Sequence, residues 1–198
     1  MLPPIEATRK TGDEPFIWNE RAESVRLRDF WAWCTSDLLS NATRGILAEF
    51  IVAMALGQTE RVRVEWDAYD LKYQKIKIEV KSSAYIQSWH QKANSIIQFG
   101  IRKTRAWGHA SGKYAEIKER QADVYVFALL NHKDQNTIDP LNLNQWTFYV
   151  LSTTKINAHL PEGEIIGLKT LEQLKPLKCQ FAKLKECILS ESQIEDID

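Results

Sequence analysis

The stretch Asp70-Leu71-Lys72-Tyr73-Gln74-Lys75-Ile76-Lys77-Ile78-Glu79-Val80-Lys81 decides how this chain folds. Its second half alternates apolar and charged residues, which is the period-two pattern of a strand with one buried face. If Gln74-Lys75 forms a tight turn, the two arms pair as a β-hairpin and Asp70 lies opposite Glu79. One face of the hairpin is then apolar, and the other face carries Asp70, Glu79 and Lys81.

Two carboxylates side by side on a sheet, with an ammonium group two residues further along, suit a divalent metal ion and a reacting phosphate. The alternation places Asp70 rather than Asp67 beside Glu79, so Asp67 is the second choice. The simpler interpretation is a salt-bridged edge strand, where Lys and Glu are common. The hairpin alone leaves both interpretations open.

Composition restricts the class of protein. The chain has 198 residues, enough for one domain, and its 44% apolar residues with seven tryptophans are enough for a core. The 26 basic and 26 acidic residues balance, which excludes a histone-like cationic protein. They do not exclude nucleic acid, because affinity depends on where the positive charge lies. Three cysteines without a Cys-x-x-Cys pair and four scattered histidines predict no structural zinc site and a reduced, cytoplasmic setting.

The pattern along the chain predicts an α/β domain with a mixed β-sheet flanked by helices. We expect an irregular N-terminal arm at 1–15, a single domain at 16–190 and a mobile acidic tail at 191–198. The start lacks the features of a signal peptide, and no apolar run approaches the ~20 residues of a membrane span. The predicted helices are 19–39, 44–56, 171–174 and 181–189, and the predicted strands besides the hairpin are 95–101, 124–130 and 146–151.

A single charged residue, Glu49, lies within the apolar run Gly45–Leu56. A helix that is apolar on nearly all sides is typical of a buried helix. A carboxylate inside it needs a partner, because an unpaired buried charge is very costly. That partner is either a cation such as Arg44 or a metal ion shared with Asp70 and Glu79. Oxygen ligands without His or thiolate favour Mg²⁺ or Mn²⁺.

A helix with an embedded Glu, then a strand Asp, then Glu-x-Lys, then a polar segment with Gln resembles the PD-(D/E)xK nuclease superfamily. That superfamily has the restriction-endonuclease-like fold, and the matching positions here are Glu49, Asp70, Glu79 and Lys81. The resemblance covers about residues 40–151 and is strongest to a bacterial group of restriction-endonuclease-like proteins. One departure is that no Pro precedes Asp70.

The resemblance implies a Mg²⁺- or Mn²⁺-dependent nuclease that hydrolyses DNA phosphodiester bonds in defence or repair, as an endonuclease rather than an exonuclease. Asp70, Glu79 and Glu49 would hold the metal ion, and Lys81 would orient the attacking water or stabilise negative charge. The strand neighbours of Lys81 leave a lowered pKa open. Such enzymes often dimerise to cut two strands, so we expect a homodimer. The alternative is a non-cleaving nucleic-acid-binding protein or subunit with the same fold.

Four polar residues follow the Glu-x-Lys triplet, namely Ser82, Ser83, Gln87 and Gln91. In related nucleases, a Gln or Ser near this point often helps the site. We therefore expect these residues to bind phosphate or to orient Lys81. The alternative is a polar loop that closes the sheet.

The segment 102–120 is the most basic part of the chain, and aromatic residues are interspersed with its cations. Basic charge combined with aromatic rings suits a phosphate backbone and exposed bases. The residues predicted to contact DNA are Arg102, Lys103, Arg105 and Lys113. The alternative is a solvated surface loop.

Overall fold

The computed structural model describes residues 5–64, 68–105, 107–108 and 113–192, and at Trp107, Gly108 and Lys113 only the backbone. Asp67 therefore lies outside the described residues. In chain order the elements are β1 (Pro15–Trp18), β2 (Arg21–Arg26), α1 (Leu27–Thr35), α2 (Asn41–Ala55), β3 (Leu71–Tyr73), β4 (Ile76–Ala84), β5 (Gln98–Gly100), β6 (Trp107–Gly108), β7 (Lys113–Tyr114), β8 (Val124–Leu130), β9 (Trp146–Ser152), α3 (Thr153–His159), β10 (Ile165–Gly167), α4 (Leu168–Gln173), β11 (Leu177–Cys179) and α5 (Leu184–Ser192), with short 3₁₀ turns at Leu143–Gln145 and Phe181–Lys183.

The central sheet has the strand order β11-β9-β8-β4-β3. Strands β4 and β8 pair in parallel, and the other neighbours pair antiparallel. Helices α2 and α5 pack on one face of the sheet. Helices α3 and α4, with the small β5-β10 sheet, cover the other face. The predicted α/β fold class, a mixed sheet flanked by helices, is confirmed.

The predicted register of the hairpin is confirmed. Tyr73 pairs with Ile76 and Leu71 pairs with Ile78, as the two-residue turn requires. Gln-Lys is not a favoured pair for a tight turn, but Gln74 adopts a φ of +52°, the left-handed conformation that such turns need. The apolar side of the hairpin then faces the core that contains α2.

Ser40 caps the start of helix α2, because its hydroxyl accepts a hydrogen bond from the Thr43 N–H at 3.3 Å. It ends before Gly57, whose φ of +67° suits glycine. The expectation that this helix is buried on nearly all sides is wrong. Only the side that packs on the sheet is buried, and an outer row that includes Phe50 is about half exposed.

The N-terminal third differs most from the sequence prediction. A helix was expected from residue 19, but β1 and β2 form a hairpin there and α1 starts only at Leu27. Asn19 and Glu20 both have positive φ values, 46° and 62°, which build the tight turn between the strands. Residues 5–14 contain no helix or strand.

Among the elements that follow the hairpin, some coincide with the sequence prediction and others differ from it. Strands β8 and β9 coincide with the predicted runs, to within one residue. The strand expected at 95–101 is shorter and pairs with β10 outside the central sheet. Helix α3 and strands β10 and β11 were not predicted, since each is short and carries little periodicity. Within the described part of the chain, no helix is long and apolar enough to cross a membrane.

Helix α5 extends two residues into the segment predicted as a mobile tail. Glu191 is buried there, accepts a hydrogen bond from the Ser152 N–H at 2.9 Å and forms an ion pair with Lys155 at 2.7 Å. These contacts attach the end of α5 to the start of α3 and give a buried carboxylate its partners. Residues 193–198 lie outside the described residues.

Candidate active site

Asp70 directly precedes β3, at the open end of the β3–β4 hairpin. Both its backbone and its side chain are hydrogen-bonded to β4. Its backbone N–H donates to the Ile78 carbonyl at 3.1 Å. Its carboxylate Oδ2 accepts from the Val80 N–H at 2.7 Å. Since these two partners flank Glu79 in β4, the Asp70 carboxylate is held beside that residue. The hairpin therefore brings the two predicted carboxylates together.

Glu79 and Lys81 form an ion pair on the same face of β4. Burial raises the pKa of Glu79, and the nearby charge of Asp70 raises it further. Burial acts to lower the pKa of Lys81, but the charges of Glu79 and Asp70 outweigh it, so the pKa lies above its ordinary value. The lowered pKa that the sequence left open for Lys81 is therefore not found, and the side chain is a cation at neutral pH.

Glu49 approaches the same group from α2, with its side chain 12% exposed. Burial raises its pKa, and the charge of Asp70 adds to that effect, although Arg63 opposes both. Arg63 donates two hydrogen bonds to this carboxylate, at 2.5 and 3.0 Å. The alternative of a cationic partner for Glu49 is thus realised, but by Arg63 and not by Arg44.

The three carboxylates form one electrostatic group, since the charges of Asp70 and Glu49 both act on Glu79. They are hard oxygen donors, and the nearby cations Lys81 and Arg63 leave them with one uncompensated negative charge, so their chemistry fits Mg²⁺ or Mn²⁺. Across the described ranges, however, no three or more His, Cys, Asp or Glu side chains are arranged to hold a metal ion. A metal ion shared by the three carboxylates stays a prediction.

Two clefts open at the four predicted residues. Glu79 and Lys81 line a cleft of about 420 Å³ whose walls also include Arg102 and Tyr125. Glu49 and Asp70 line a second cleft of about 300 Å³. The apolar part of its wall consists of Ile46, Phe50, Ala53, Val62, Val64 and Leu71.

The basic segment borders a third cleft, of about 710 Å³. Arg102 lines both this cleft and the one that contains Glu79. Arg105 is exposed on its wall, whereas Lys103 is held by Glu162 at 2.7 Å. The side chain of Lys113 lies outside the described atoms. The structure therefore leaves Arg102 and Arg105 as the predicted DNA contacts that face open space.

Arg120 contributes to the basic character of the segment, but it does not face these clefts. It is buried and donates to the carbonyls of Ile101, Leu160 and Gly163 at 2.6, 2.9 and 2.8 Å. It also reaches Asn157 Oδ1 at 2.5 Å. Arg120 therefore joins the end of β5 to the loop between α3 and β10, which forms one wall of the third cleft.

The polar residues after the triplet form an internal network around Arg44. This buried guanidinium donates to Ser82 Oγ at 3.1 Å and to Gln87 Oε1 at 2.8 Å. Gln87 in turn donates to the Ala84 carbonyl at 2.9 Å. Gln91 accepts from the Gln87 N–H at 2.7 Å. This arrangement favours the alternative of a polar loop that closes the sheet.

Ser83 differs from the other three predicted supporting residues, because it points to the face of β4 that carries Glu79 and Lys81. It is nevertheless buried, opposite Leu129 of β8. Two residues near the site were missed by sequence reasoning. Arg63 lies in an irregular segment and has no periodic signal. The pattern around Tyr125 predicts only a buried strand, whereas strand pairing places this residue beside Glu79.

Comparison with known protein families gives a match over most of the chain. A family model described as bacteriophage T4 endonuclease IV matches residues 33–164, about two thirds of the chain. The matched span contains α2, the β3–β4 hairpin, the basic segment and strands β8 and β9. No curated protein and no solved structure matches the chain significantly.

Proposed function

The chain belongs to the bacteriophage T4 endonuclease IV family and is therefore a nuclease, and we propose that it hydrolyses DNA phosphodiester bonds with Mg²⁺ or Mn²⁺. The proposed site consists of Glu49, Asp70, Glu79 and Lys81. The observation that carries this proposal is the mutual influence of these four charges. Burial acts first on the pKa of Glu49, Glu79 and Lys81, and the charge of Asp70 acts on all three as well.

Asp70 and Glu79 would hold the metal ion, and Glu49 would join them when Arg63 releases it. When bound, the ion lowers the pKa of a water molecule and neutralises charge on the scissile phosphate. The protein supplies the placement of these ligands. The Val80 N–H fixes the Asp70 carboxylate, so this ligand is already oriented in the absence of the ion.

Lys81 has a role that follows from its protonation state. A lysine that keeps its proton at neutral pH does not act as a general base. It can donate hydrogen bonds to a non-bridging phosphate oxygen and stabilise the negative charge that develops during hydrolysis. Its raised pKa therefore supports charge stabilisation over proton abstraction as the role of this residue.

The two clefts that share Arg102 form the proposed path for DNA. One contains Glu79 and Lys81, and the other is lined by Arg105 and Lys118. A phosphate backbone that enters the site beside Lys81 would meet further positive charge within the next few nucleotides. Glu162 and Glu164 also line the larger cleft, and Glu162 is paired with Lys103. We therefore assign the DNA contact to Arg102 and Arg105.

The order of the elements supports a PD-(D/E)xK nuclease core. The helix with Glu49 precedes the hairpin with Asp70, Glu79 and Lys81, and β4 then pairs in parallel with β8. We further propose that the chain cuts within DNA rather than from its ends, in defence or repair. Because two sites allow both strands of a duplex to be cut in one binding event, we also propose a homodimer.

The test is incubation of the purified protein with supercoiled plasmid, linear duplex and single-stranded DNA, in Mg²⁺, Mn²⁺ or EDTA. Glu79→Gln is the control, since it keeps the shape of the side chain and removes the metal-binding charge. Cleavage by the wild type in either metal, absent in EDTA and in the variant, is the expected result. Binding of DNA without cleavage in every condition would favour the non-cleaving alternative, and equal cleavage by the variant would reject this site.

A further inference from the structure

Tyr125 occupies the position in the central sheet directly beside Glu79. The parallel register of β4 and β8 pairs these two residues, so their side chains stand on the same face. Both line the cleft of about 420 Å³, together with Lys81 and Arg102. The phenol is thus the polar group that β8 contributes to the proposed site.

The hydroxyl of Tyr125 has no protein partner among the described residues, although the residue is only 3% exposed. In the same part of the chain, no buried side-chain nitrogen or oxygen lacks a hydrogen bond. The Tyr125 oxygen must therefore keep contact with the solvent of the cleft that the residue lines. A hydroxyl held on a buried ring and open only to the cleft is placed to bond a ligand there.

Tyr149 on β9 provides the contrast. It is also 3% exposed and on the same face of the sheet, since it pairs with Phe127, whose ring stacks on that of Tyr125. Its hydroxyl, however, is hydrogen-bonded to Glu172 at 3.3 Å. One buried tyrosine in this layer is satisfied by the protein, whereas the other is satisfied only from the cleft.

We propose that Tyr125 contacts the substrate, donating a hydrogen bond from its phenol to a non-bridging oxygen of the DNA phosphate bound beside Lys81. A tyrosine phenol is ordinarily protonated at neutral pH, so the group serves as a donor. A neutral donor suits a site that already contains three carboxylates, because it binds phosphate without competing for them.

This inference rests on the proposed nuclease site, and one set of variants separates the two. We expect Tyr125→Phe to lower kcat for plasmid cleavage by about a hundredfold or more, the effect of losing one donor to a reacting phosphate. The thermal midpoint should change little, because the hydroxyl has no partner among the described residues to lose. Tyr149→Phe, which removes the satisfied hydroxyl, should keep the wild-type kcat.

The outcomes distinguish the inference from its premise. If Tyr125→Phe cleaves at the wild-type rate while Glu79→Gln is inactive, Tyr125 does not contact the reacting phosphate and the proposed function stands. If Tyr149→Phe loses as much activity as Tyr125→Phe, the effect belongs to packing of the aromatic layer and the inference also fails. If Glu79→Gln cleaves as fast as the wild type, the proposed site fails and the role of Tyr125 fails with it.

Discussion

Arg63 donates two hydrogen bonds to the carboxylate of Glu49, from Nε to Oε2 at 2.5 Å and from Nη2 to Oε1 at 3.0 Å. Glu49 is the third carboxylate of the proposed metal site, and the guanidinium now occupies both of its oxygens. A paired arrangement of this kind is strong, since both partners are charged and the geometry is bidentate. Metal binding by Glu49 must therefore displace Arg63, and the energy of this ion pair opposes it.

Arg63→Gln should consequently increase the affinity for the metal. We expect the Mg²⁺ concentration for half-maximal cleavage to fall several-fold, because Glu49 no longer exchanges a guanidinium for the ion. Arg61→Gln is the matched control, since Arg61 is exposed and lines the same cleft. A Mg²⁺ titration of the cleavage rate measures the effect. An unchanged or higher Mg²⁺ requirement in the Arg63 variant would show that Glu49 does not reach the ion.

Lys81→Ala should abolish cleavage while leaving the fold intact. The loss of a fixed cation beside the reacting phosphate corresponds to about a hundredfold or more in rate. Lys77→Ala removes a lysine from the same face of β4, at an exposed position outside the cleft that Lys81 lines. Single-turnover cleavage and far-UV circular dichroism of both variants test the prediction. Wild-type cutting by a folded Lys81→Ala protein would refute the role.

Reversal of charge at Arg102 should weaken DNA binding at low salt and reduce its dependence on salt. For every phosphate that the protein no longer neutralises, the slope of log K against log salt becomes shallower by about 0.9. The double variant with Arg105→Glu should reduce the slope about twice as much. Lys183→Glu, a reversal at an exposed lysine paired with Glu186, is the control. Binding measured by fluorescence anisotropy across a salt series gives the slopes, and equal slopes for all proteins would exclude this surface.

The sequence alone predicted the hairpin because its signal is local. The alternation from Ile76 to Lys81 sets which side chains share a face, and a two-residue turn sets the register, so the meeting of Asp70 and Glu79 followed. The buried strand at 124–130 was equally clear, because it is short, apolar and rich in β-branched and aromatic residues.

Features that depend on distant pairing could not be predicted in this way. The position of Tyr125 beside Glu79 requires the register of two strands that are far apart in the chain. The partner of Glu49 comes from an irregular segment, so proximity in sequence favoured Arg44 instead. Helix α2 looked fully buried because composition does not reveal that only one side packs on the sheet. The turn at Asn19 and Glu20 likewise has no strong turn motif.

The hydrogen bonds of Arg44 predict that its replacement lowers the stability of the fold. Its guanidinium is buried and bonded to neutral acceptors on Ser82, Gln87, Asn41 and the Leu39 carbonyl. Arg44→Met would leave several of these acceptors buried without a donor, which should lower the free energy of unfolding by about 2–4 kcal/mol. Urea denaturation measures the change.

The control for this change is Arg28→Met, which removes an exposed arginine paired with Asp13 and should change the free energy of unfolding by less than about 1 kcal/mol. Comparable losses in the two variants would mean that the Arg44 network contributes no more than a surface ion pair.

The raised pKa of Glu79 predicts how stability depends on pH. Burial and the charge of Asp70 raise this pKa above its ordinary value of 4.5, so the folded protein binds the proton more tightly than the unfolded chain. The stabilising contribution is then fully present below the unfolded pKa and is lost as the pH rises through the folded pKa. Glu79→Gln, which imitates the protonated state, should match the wild type in acid and exceed it at neutral pH.

Glu162→Gln supplies a control of opposite sign. The hydrogen bond from Lys103 lowers the pKa of Glu162, so its contribution is present above the unfolded pKa and is lost as the pH falls through the folded pKa. We therefore expect the thermal midpoint of Glu79→Gln, relative to the wild type, to be higher at about pH 7.5 than at about pH 4, whereas that of Glu162→Gln should not rise.

Added Mg²⁺ should raise the thermal midpoint of the wild type but not that of Glu79→Gln, because the ion offsets the repulsion between the carboxylates. A Glu79→Gln protein less stable than the wild type at neutral pH would show that the ion pair with Lys81 outweighs burial and the charge of Asp70.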